Sequence, residues 1–243
     1  MRWLAAVIVT ACSTADGRVP ASPPASASTP GPMAPAPVDG AVVVELFTSQ
    51  GCSSCPPADR LLTELTRDRR DVIALAFHVD YWNRLGWADP WSRPAWSARQ
   101  EAYARGDGDR VYTPALVING GGAVVGSRRA AVAAAIAQAP RLPAIAGTAR
   151  VVDGAVEVAA AVPAGARGAV AIVEDALVTR VAAGENEGET LRNDRVVRAL
   201  VPLTDRAAVP LEPGWRAAGL EAVVLAAGPD GRLVAAGRLP IAR

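Results

Sequence analysis

Two cysteines separated by two residues are the feature of this 243-residue sequence that most directly suggests chemistry. Cys52 and Cys55 enclose Ser53 and Ser54, and they stand between an apolar run and a segment with helical periodicity. A thiolate is favoured at a helix N-terminus, because unpaired backbone N–H groups and aligned peptide dipoles attract negative charge there. The placement therefore predicts a redox-active dithiol.

The spacing gives the two sulfurs different roles. We expect Cys52, reachable by solvent, to be the nucleophile. Cys55 then attacks the mixed disulfide on Cys52, which releases the substrate and leaves a Cys52–Cys55 disulfide. The predicted function is thiol–disulfide exchange with a protein or small-thiol redox partner, and it needs no cofactor.

The elements around the dithiol follow an α/β order. Before it, the apolar run 42–47 predicts a strand, and after it residues 71–79 predict a second strand covered on both faces. Strand, helix and strand make a βαβ unit. The helix between them is predicted from apolar residues at i, i+3, i+4 and i+7, namely Ala58, Leu61, Leu62 and Leu65. Further on we expect a helix over 92–105, a strand over 111–118, a hairpin turn at 119–122, a short strand to 126 and a helix over 128–138.

The N-terminal residues have a different composition. Residues 1–12 combine Arg2, a short apolar stretch and small residues before Cys12, which indicates an export signal with a bacterial lipobox. A plain secretory signal or a misassigned start codon are the alternatives. We expect a periplasmic protein that is lipid-anchored to the membrane only through Cys12. Residues 13–39 are rich in Pro, Ala and Ser and predict a disordered linker.

The remaining sequence divides into two predicted domains. Residues 40–142 hold the α/β elements, with an inserted Trp-rich segment between residues 80 and 110. Residues 143–243 show short alternating strands with turns at Asp153-Gly154 and Asp230-Gly231, and predict an all-β, sandwich-like domain. A formal net charge of +1 and the lack of a long basic run give no electrostatic case for nucleic-acid binding.

With the Trp-rich insertion set aside, the order of elements matches a thioredoxin-like domain. In that fold a cis proline opens the strand beside the dicysteine, and the backbone of the preceding residue pairs with the substrate. Thr113-Pro114 stands at this point of the sequence. We expect a cis bond, with Pro114 positioning the partner and Thr113 binding it. A trans proline at a strand start is the alternative.

The sequence also resembles a known family, the thioredoxin-like exported bacterial proteins called domain of unknown function 1223. The resemblance implies the fold but no activity, because the family has no settled function. One departure is Asn83, which stands where an acidic residue is expected after Tyr-Trp. The motifs that carry the resemblance are Glu45 to Asp59, His78-Val79-Asp80-Tyr81-Trp82, Leu85-Gly86-Trp87, Arg99-Gln100, Tyr112-Thr113-Pro114, Gly184-Glu185-Asn186-Glu187-Gly188, Leu191 and Val196-Val197-Arg198.

Three side chains near the dithiol have two interpretations each. Glu45 lies on the strand that leads to the dicysteine, at a spacing one residue longer than the buried acid of thioredoxins. It is either the base that takes the proton of Cys55 or a strand-end glutamate facing water. Trp82 and Trp87 either form an apolar wall that binds peptide-like substrates or fill a satellite core under a long loop.

Two functions of other classes stay open. His78 is the only histidine, and with Cys52 and Cys55 it makes a set of ligands suited to copper or zinc. The protein would then bind or deliver metal, whereas a hydrogen-bonded structural histidine is the alternative for His78. In the other function, Cys52–Cys55 is a fixed staple in a non-catalytic interaction module.

Overall fold

The computed structural model describes residues 40–242, which form three α-helices and thirteen β-strands. The predicted signal, Cys12 and the linker lie outside the described residues. The helices are α1 (Pro56–Asp68), α2 (Pro94–Asp107) and α3 (Arg129–Gln138). The strands are β1 (Val42–Thr48), β2 (Val72–His78), β3 (Ala115–Ile118), β4 (Gly121–Val125), β5 (Gly147–Val152), β6 (Ala155–Ala160), β7 (Arg167–Glu174), β8 (Leu177–Arg180), β9 (Thr190–Asn193), β10 (Val196–Leu203), β11 (Arg206–Pro210), β12 (Leu220–Ala227) and β13 (Leu233–Ala242).

A large mixed sheet organises this α/β fold. Its eleven strands lie in the order β11-β6-β5-β13-β12-β7-β10-β2-β1-β3-β4, and β8 pairs only with β9. β1 and β2 are parallel and joined through α1, which confirms the predicted βαβ unit. β3 runs antiparallel to β1, and β4 returns antiparallel to β3.

The strands of the C-terminal half continue this sheet. Val196 of β10 pairs in parallel with Ala76 of β2. Beside this pair, the carbonyl of Arg195 accepts a hydrogen bond from the Ala76 amide at 2.8 Å. The side-chain Nε of Arg195 donates to the Ala74 carbonyl at 3.2 Å. The structure thus shows one large mixed sheet that continues across residue 142. Alternating hydrophobicity predicts that a segment is a strand, but it does not predict the edge with which the strand pairs.

The two faces of β1 pack against different helices. Leu46 shares a buried cluster with Leu62 of α1, whereas Phe47 belongs to the cluster that contains Trp96 of α2. Successive side chains of a strand point to opposite faces of the sheet. β1 is therefore buried along its whole length.

The turn between β3 and β4 confirms the predicted hairpin. Asn119 and Gly120 have φ angles of 47° and 78°, the left-handed pair that a tight two-residue hairpin turn requires. The Asn119 side chain also accepts a hydrogen bond from the amide of Val43 at 2.8 Å. The turn thus ties the outer hairpin to the start of β1.

Candidate functional site

The dicysteine lies where the chain leaves β1 and enters α1. Cys52 and Cys55 are joined as a disulfide, with their Cα atoms 5.4 Å apart. Cys55 is the N-cap of α1, and Pro56 and Pro57 occupy its first turn, where the missing proline N–H has no intrahelical partner to lose. The positive end of the helix dipole is therefore closer to Cys55 than to Cys52.

Both cysteines are buried. Cys52 and Cys55 are each 0 % exposed, whereas Ser53 and Ser54 between them are exposed. The Sγ atom of Cys52 lies 3.3 Å from Oγ of Ser54. The prediction of a solvent-reachable Cys52 is not met in this structure, because segments distant in sequence cover the pair.

One covering segment is the connection between β8 and β9, and we call residues 184–188 the clamp loop. Asn186 is buried in it, and its Nδ2 donates to the carbonyl of Gln50 at 2.8 Å and to that of Cys52 at 3.0 Å. One amide thus holds the backbone on both sides of Gly51. These contacts fix the turn that carries Cys52.

The exposed part of the clamp loop makes further contacts. Glu185 accepts a hydrogen bond from the amide of Ser53 at 2.9 Å, and this bond holds the pKa of Glu185 below its ordinary value. Gly184 has a φ angle of +80°, and a Cβ built there would lie 3.3 Å from Cβ of Trp87. The loop therefore packs on the Trp-rich insertion as well as on the dicysteine turn.

Trp82 and Trp87 both lie at the dicysteine turn. The indole N–H of Trp82 donates to Oγ1 of Thr113 at 2.7 Å, and a Cβ built on Gly51 would lie 3.3 Å from Cβ of Trp82. The indole N–H of Trp87 donates to Oε1 of Gln50 at 3.2 Å. The structure thus brings both predicted tryptophans and Thr113 to the site.

The Thr113-Pro114 bond is cis, as predicted. Pro114 lies close to the first turn of α1. A Cβ built on Gly126 would lie 3.3 Å from Cβ of Ala58 and 3.5 Å from Cβ of Pro114. Pro114 and the dicysteine helix therefore meet across a glycine that leaves room for them.

Glu45 does not lie beside Cys55. Its buried carboxylate accepts hydrogen bonds from Nε and Nη2 of Arg99 at 2.6 and 3.0 Å, and from the Tyr103 hydroxyl at 2.7 Å. Because its neighbour Leu46 faces α1, Glu45 faces the opposite side of the sheet, toward α2. The predicted role as base for Cys55 is wrong. The spacing, one residue longer than in thioredoxins, turns the side chain to the other face.

A buried pair of titratable side chains lies at the end of β2. Nδ1 of His78 is 2.7 Å from Oδ2 of Asp89, and both side chains are fully covered. Asp89 also accepts hydrogen bonds from the amides of Gln50 at 2.8 Å and Trp91 at 2.9 Å. Nε2 of His78 is buried without a hydrogen-bond partner among the described residues. The pair thus links β2 to the dicysteine turn.

Asp59 completes this group from the side of α1. It follows Cys55 by four residues, and its amide donates to the Cys55 carbonyl at 3.1 Å, so their side chains lie on one helix face. Thr48 and His78 are register partners on β1 and β2, and by strand alternation they face α1 together with Leu46. Asp59, Cys55 and His78 therefore share one side of the sheet.

The environment shifts the pKa values of Asp59, His78 and Asp89. Burial raises the pKa of Asp59 to about 6, against the attraction of His78. Burial opposes the protonation of His78, but the carboxylate of Asp89 outweighs it and the pKa of His78 is raised. For Asp89, burial favours the neutral form, yet His78 and the backbone N–H groups hold its pKa below the ordinary value.

Comparison with known proteins shows the family. The profile of the family described as protein of unknown function (DUF1223) matches residues 43–226. The chain belongs to the DUF1223 family. No curated protein sequence matches this DUF1223 protein.

Two solved structures resemble this DUF1223 protein. One is the crystal structure of an Agrobacterium tumefaciens protein, with a TM-score of 0.66, 27 % identity and coverage of 84 % of this chain and 96 % of that chain. The other is HBP35 of Porphyromonas gingivalis, with a TM-score of 0.61 and 11 % identity, covering 84 % of this chain and 76 % of that chain. At that identity the second likeness shows the fold alone.

Sequence reasoning missed several residues of this site. Gln50 and Asn186 belong to motifs of the resemblance, but nothing in the sequence indicates that they touch each other. Asp89 stands in the Trp-rich insertion, where a single carboxylate carries no distinguishing signal. For Asp59 the sequence did contain a usable signal, because its spacing of four residues from Cys55 places both side chains on one helix face.

The described residues also bear on metal binding and on membrane-spanning helices. Within residues 40–242, no group of three or more His, Cys, Asp or Glu side chains is arranged to hold a metal ion. His78 is bound to Asp89, and the two cysteines are bound to each other. None of the helices in this same range is both long enough and apolar enough to cross a membrane.

Proposed function

We propose that this DUF1223 protein is a thioredoxin-like thiol–disulfide oxidoreductase that acts on protein or small-thiol partners. The observation that carries the proposal is the position of the Cys52–Cys55 disulfide at the start of α1, on the same helix as the buried carboxyl of Asp59. A dithiol that cycles must gain and lose protons, so titratable groups on its own helix face are of use to it.

The arrangement of the N-terminal elements supports the thioredoxin-like assignment. The strand order β2-β1-β3-β4, with β3 antiparallel to β1, is combined with α1 and α3 on one face and α2 on the other. The Trp-rich insertion contains α2. Thr113 and Pro114 would receive an extended partner segment next to Trp82, while Trp87 forms the other side of the turn.

Exchange requires the clamp loop to move. The side-chain hydrogen bonds between the clamp loop and the dicysteine turn are those from Asn186 and to Glu185. A hydrogen bond contributes about 1 kcal/mol net to stability, so opening costs a few kcal/mol and stays accessible at equilibrium. A partner thiolate then attacks Sγ of Cys52, the Cys52–Cys55 bond breaks, and its electron pair leaves on Cys55 as a thiolate that takes a proton. These steps oxidise the partner thiol to a mixed disulfide. Their reversal, in which the Cys55 thiolate attacks Sγ of Cys52, releases the partner in its reduced form.

The complete burial of both cysteines favours a second candidate, a non-catalytic module in which the disulfide is a fixed staple. A staple has no use for movement of the clamp loop. Its reduction potential would lie below about −300 mV, where the glutathione pool does not reduce it. The two candidates therefore differ in a measurable equilibrium.

Trapping tests the proposed function. In the full chain with Cys55→Ser, the mixed disulfide on Cys52 cannot be resolved, so partners should accumulate on Cys52 and be identified by mass spectrometry. The matched control is the double variant Cys52→Ser/Cys55→Ser, which should trap nothing. Addition of Asn186→Ala to the Cys55→Ser variant should increase trapping. If Cys55→Ser traps as little as the double cysteine variant, with or without Asn186→Ala, the non-catalytic module with a fixed disulfide is the correct candidate.

We also propose export and lipid anchoring through Cys12, because disulfides persist outside the cytosol. The full chain should fractionate with membranes when expressed in a bacterium, and Cys12→Ser should move it to the soluble periplasmic fraction. An identical distribution of the two proteins would contradict the anchor.

A further inference from the structure

One buried titratable group near the disulfide has no role in the exchange steps of the proposed function. Asp59, His78 and Asp89 are all covered. Buried ionisable groups are costly unless they are paired, and Asp89 and His78 pair directly with each other at 2.7 Å. Asp59 has no ion pair of comparable geometry among the described residues. The burial of the Asp59 carboxyl without such a partner therefore needs an explanation.

Its position relative to Cys55 suggests that explanation. Cys55 has helical backbone angles, φ −80° and ψ −40°, and the Asp59 amide is hydrogen-bonded to its carbonyl. Residues four apart in a helix have neighbouring side chains, with Cβ atoms about 5–6 Å apart. The Asp59 carboxyl is thus within reach of the Cys55 thiol, directly or through one water molecule.

The charges that face Asp59 come from several elements. His78 approaches from β2, Thr48 from β1 and Asp89 from the segment before α2, while Arg60 is its neighbour on α1. The imidazolium of His78 favours an ionised Asp59, and the carboxylate of Asp89 opposes it. Because Asp89 and a protonated His78 form a neutral pair, Asp59 carries the net charge of the group when it is ionised.

We propose that Asp59 accepts the proton of the Cys55 thiol when the disulfide forms, and that His78 and Asp89 are positioning residues for its carboxylate. The inference rests on the proposed function and deepens it. A buried carboxylate gains from protonation, because its charge is removed from a low-dielectric site. Its pKa of about 6 also lies closer than that of an ordinary aspartate to the pKa of a thiol, which makes proton transfer less unfavourable.

Glutathione disulfide can serve as the oxidant of this step. The Cys52 thiolate attacks one glutathione sulfur and forms a mixed disulfide, and one glutathione thiolate leaves. Asp59 takes the proton of Cys55, and the Cys55 thiolate attacks Sγ of Cys52. The Cys52–glutathione bond breaks, its electron pair leaves on the second glutathione thiolate, and the Cys52–Cys55 bond forms. The protein dithiol is oxidised and glutathione disulfide is reduced.

The test measures the second step as a function of pH. The reduced full chain is mixed with glutathione disulfide, samples are acid-quenched, and the Cys52–glutathione adduct is followed by mass spectrometry in the wild type and in Asp59→Asn. We expect the adduct to accumulate in Asp59→Asn and to resolve about 10²-fold more slowly near neutral pH. The rate should recover toward that of the wild type above about pH 9, where thiols ionise without help.

Controls separate a proton acceptor from a structural residue. Asp68→Asn changes an exposed aspartate at the other end of the same helix and should resolve the adduct at the wild-type rate. His78→Gln should weaken the pH dependence of resolution without abolishing it. Asp59→Asn should keep cooperative thermal unfolding, since it removes a buried charge and keeps the volume.

The outcomes distinguish the inference from the proposed function. Equal resolution rates and equal pH profiles in wild type and Asp59→Asn would overturn the role of Asp59 while exchange itself remains. A slow variant that high pH does not rescue would also overturn it. If the reduced wild type forms neither the Cys52–glutathione adduct nor the Cys52–Cys55 disulfide at any pH, the proposed function fails first, and the role of Asp59 in exchange fails with it.

Discussion

Glu45 and Asp59 are buried carboxylates on opposite faces of the sheet, and their partners give them different properties. Glu45 is held by two nitrogens of Arg99, which also stacks on the rings of Phe77 and Tyr103 at 5.3 and 5.0 Å. Burial and the neighbouring Glu45 carboxylate raise the pKa of Tyr103 well above its usual range, so its hydroxyl remains a donor. Asp59 instead faces a histidine, whose own charge is variable.

Replacement of Glu45 should affect stability and not exchange. Glu45→Gln leaves the Arg99 guanidinium without its buried counter-ion, and the expected loss in free energy of unfolding is about 3–5 kcal/mol. Urea denaturation measures this, and the rate of exchange with glutathione disulfide, corrected for the folded fraction, should stay unchanged. Glu101→Gln, an exposed residue of the same helix as Arg99, is the control and should change stability by less than about 0.5 kcal/mol. An altered pH profile of exchange in Glu45→Gln would restore the role as base.

Asp59 should make stability depend on pH with a definite sign. Its pKa is about 6 in the folded protein and about 4 in an unfolded chain, so the folded state binds more protons between these values. The free energy of unfolding should therefore fall as pH rises from about 4 to about 6, by up to about 3 kcal/mol from this group. Asp59→Asn should lack this fall, so that the variant gains relative to the wild type toward neutral pH.

Denaturation curves at a series of pH values provide the measurement for Asp59. The exposed Asp68→Asn variant should keep the wild-type slope between pH 4 and 6. If the free energy of unfolding depends on pH in the same way in wild type and Asp59→Asn across that interval, the Asp59 carboxyl has an ordinary pKa. That result would contradict the raised pKa of Asp59.

At the scale of elements, local pattern predicted β1, α1, β2 and the β3–β4 hairpin, since each depends on residues close in sequence. The clamp loop could not be predicted in the same way. Asn186 and Gln50 are 136 positions apart, and their hydrogen bond exists only because β9 and β10 bring the chain back to β2. For Glu45, a shift of one residue along a strand was sufficient to reverse the face on which it lies.

Removal of the Asn186 side chain should loosen the cover of the dicysteine turn. Asn186→Ala deletes the hydrogen bonds to the carbonyls of Gln50 and Cys52 and leaves both acceptors to water or unpaired. We expect a loss of about 1–3 kcal/mol in stability and a roughly tenfold faster reduction of the disulfide by dithiothreitol. The exposed neighbour Glu187→Ala is the matched control. Equal reduction rates in the two variants would mean that the clamp loop does not limit access.

At the scale of the whole molecule, the continuous sheet makes the two halves of the described chain depend on each other. Ile73 and Leu75 of β2 share one buried cluster with Val173, Val197 and Val223 of the C-terminal strands. The patterns of strands, helices and turns in the sequence predicted an α/β half and a β-rich half. They could not predict the union of the two halves, because a strand that is buried on both faces has the same pattern whichever chain segment lies at its edge.

A fragment of residues 40–142 should therefore not fold on its own. It would expose the free edge of β2 and the part of the Phe77 and Trp96 cluster that packs on the C-terminal strands. We expect no cooperative unfolding transition by near-UV circular dichroism or calorimetry, whereas residues 40–242 should unfold in one transition. A cooperative transition in the short fragment would support the predicted boundary at 142 and contradict this dependence.

The proposed function requires that the Cys52–Cys55 disulfide cycles in the native protein. Its most direct test is equilibration of the full chain in glutathione buffers of graded potential, with the disulfide quantified by alkylation and mass spectrometry and with folding followed by circular dichroism. We expect a reversible transition at a potential above about −300 mV while the protein stays folded. A disulfide that remains intact throughout this range, and that is reduced only after denaturation, would contradict it.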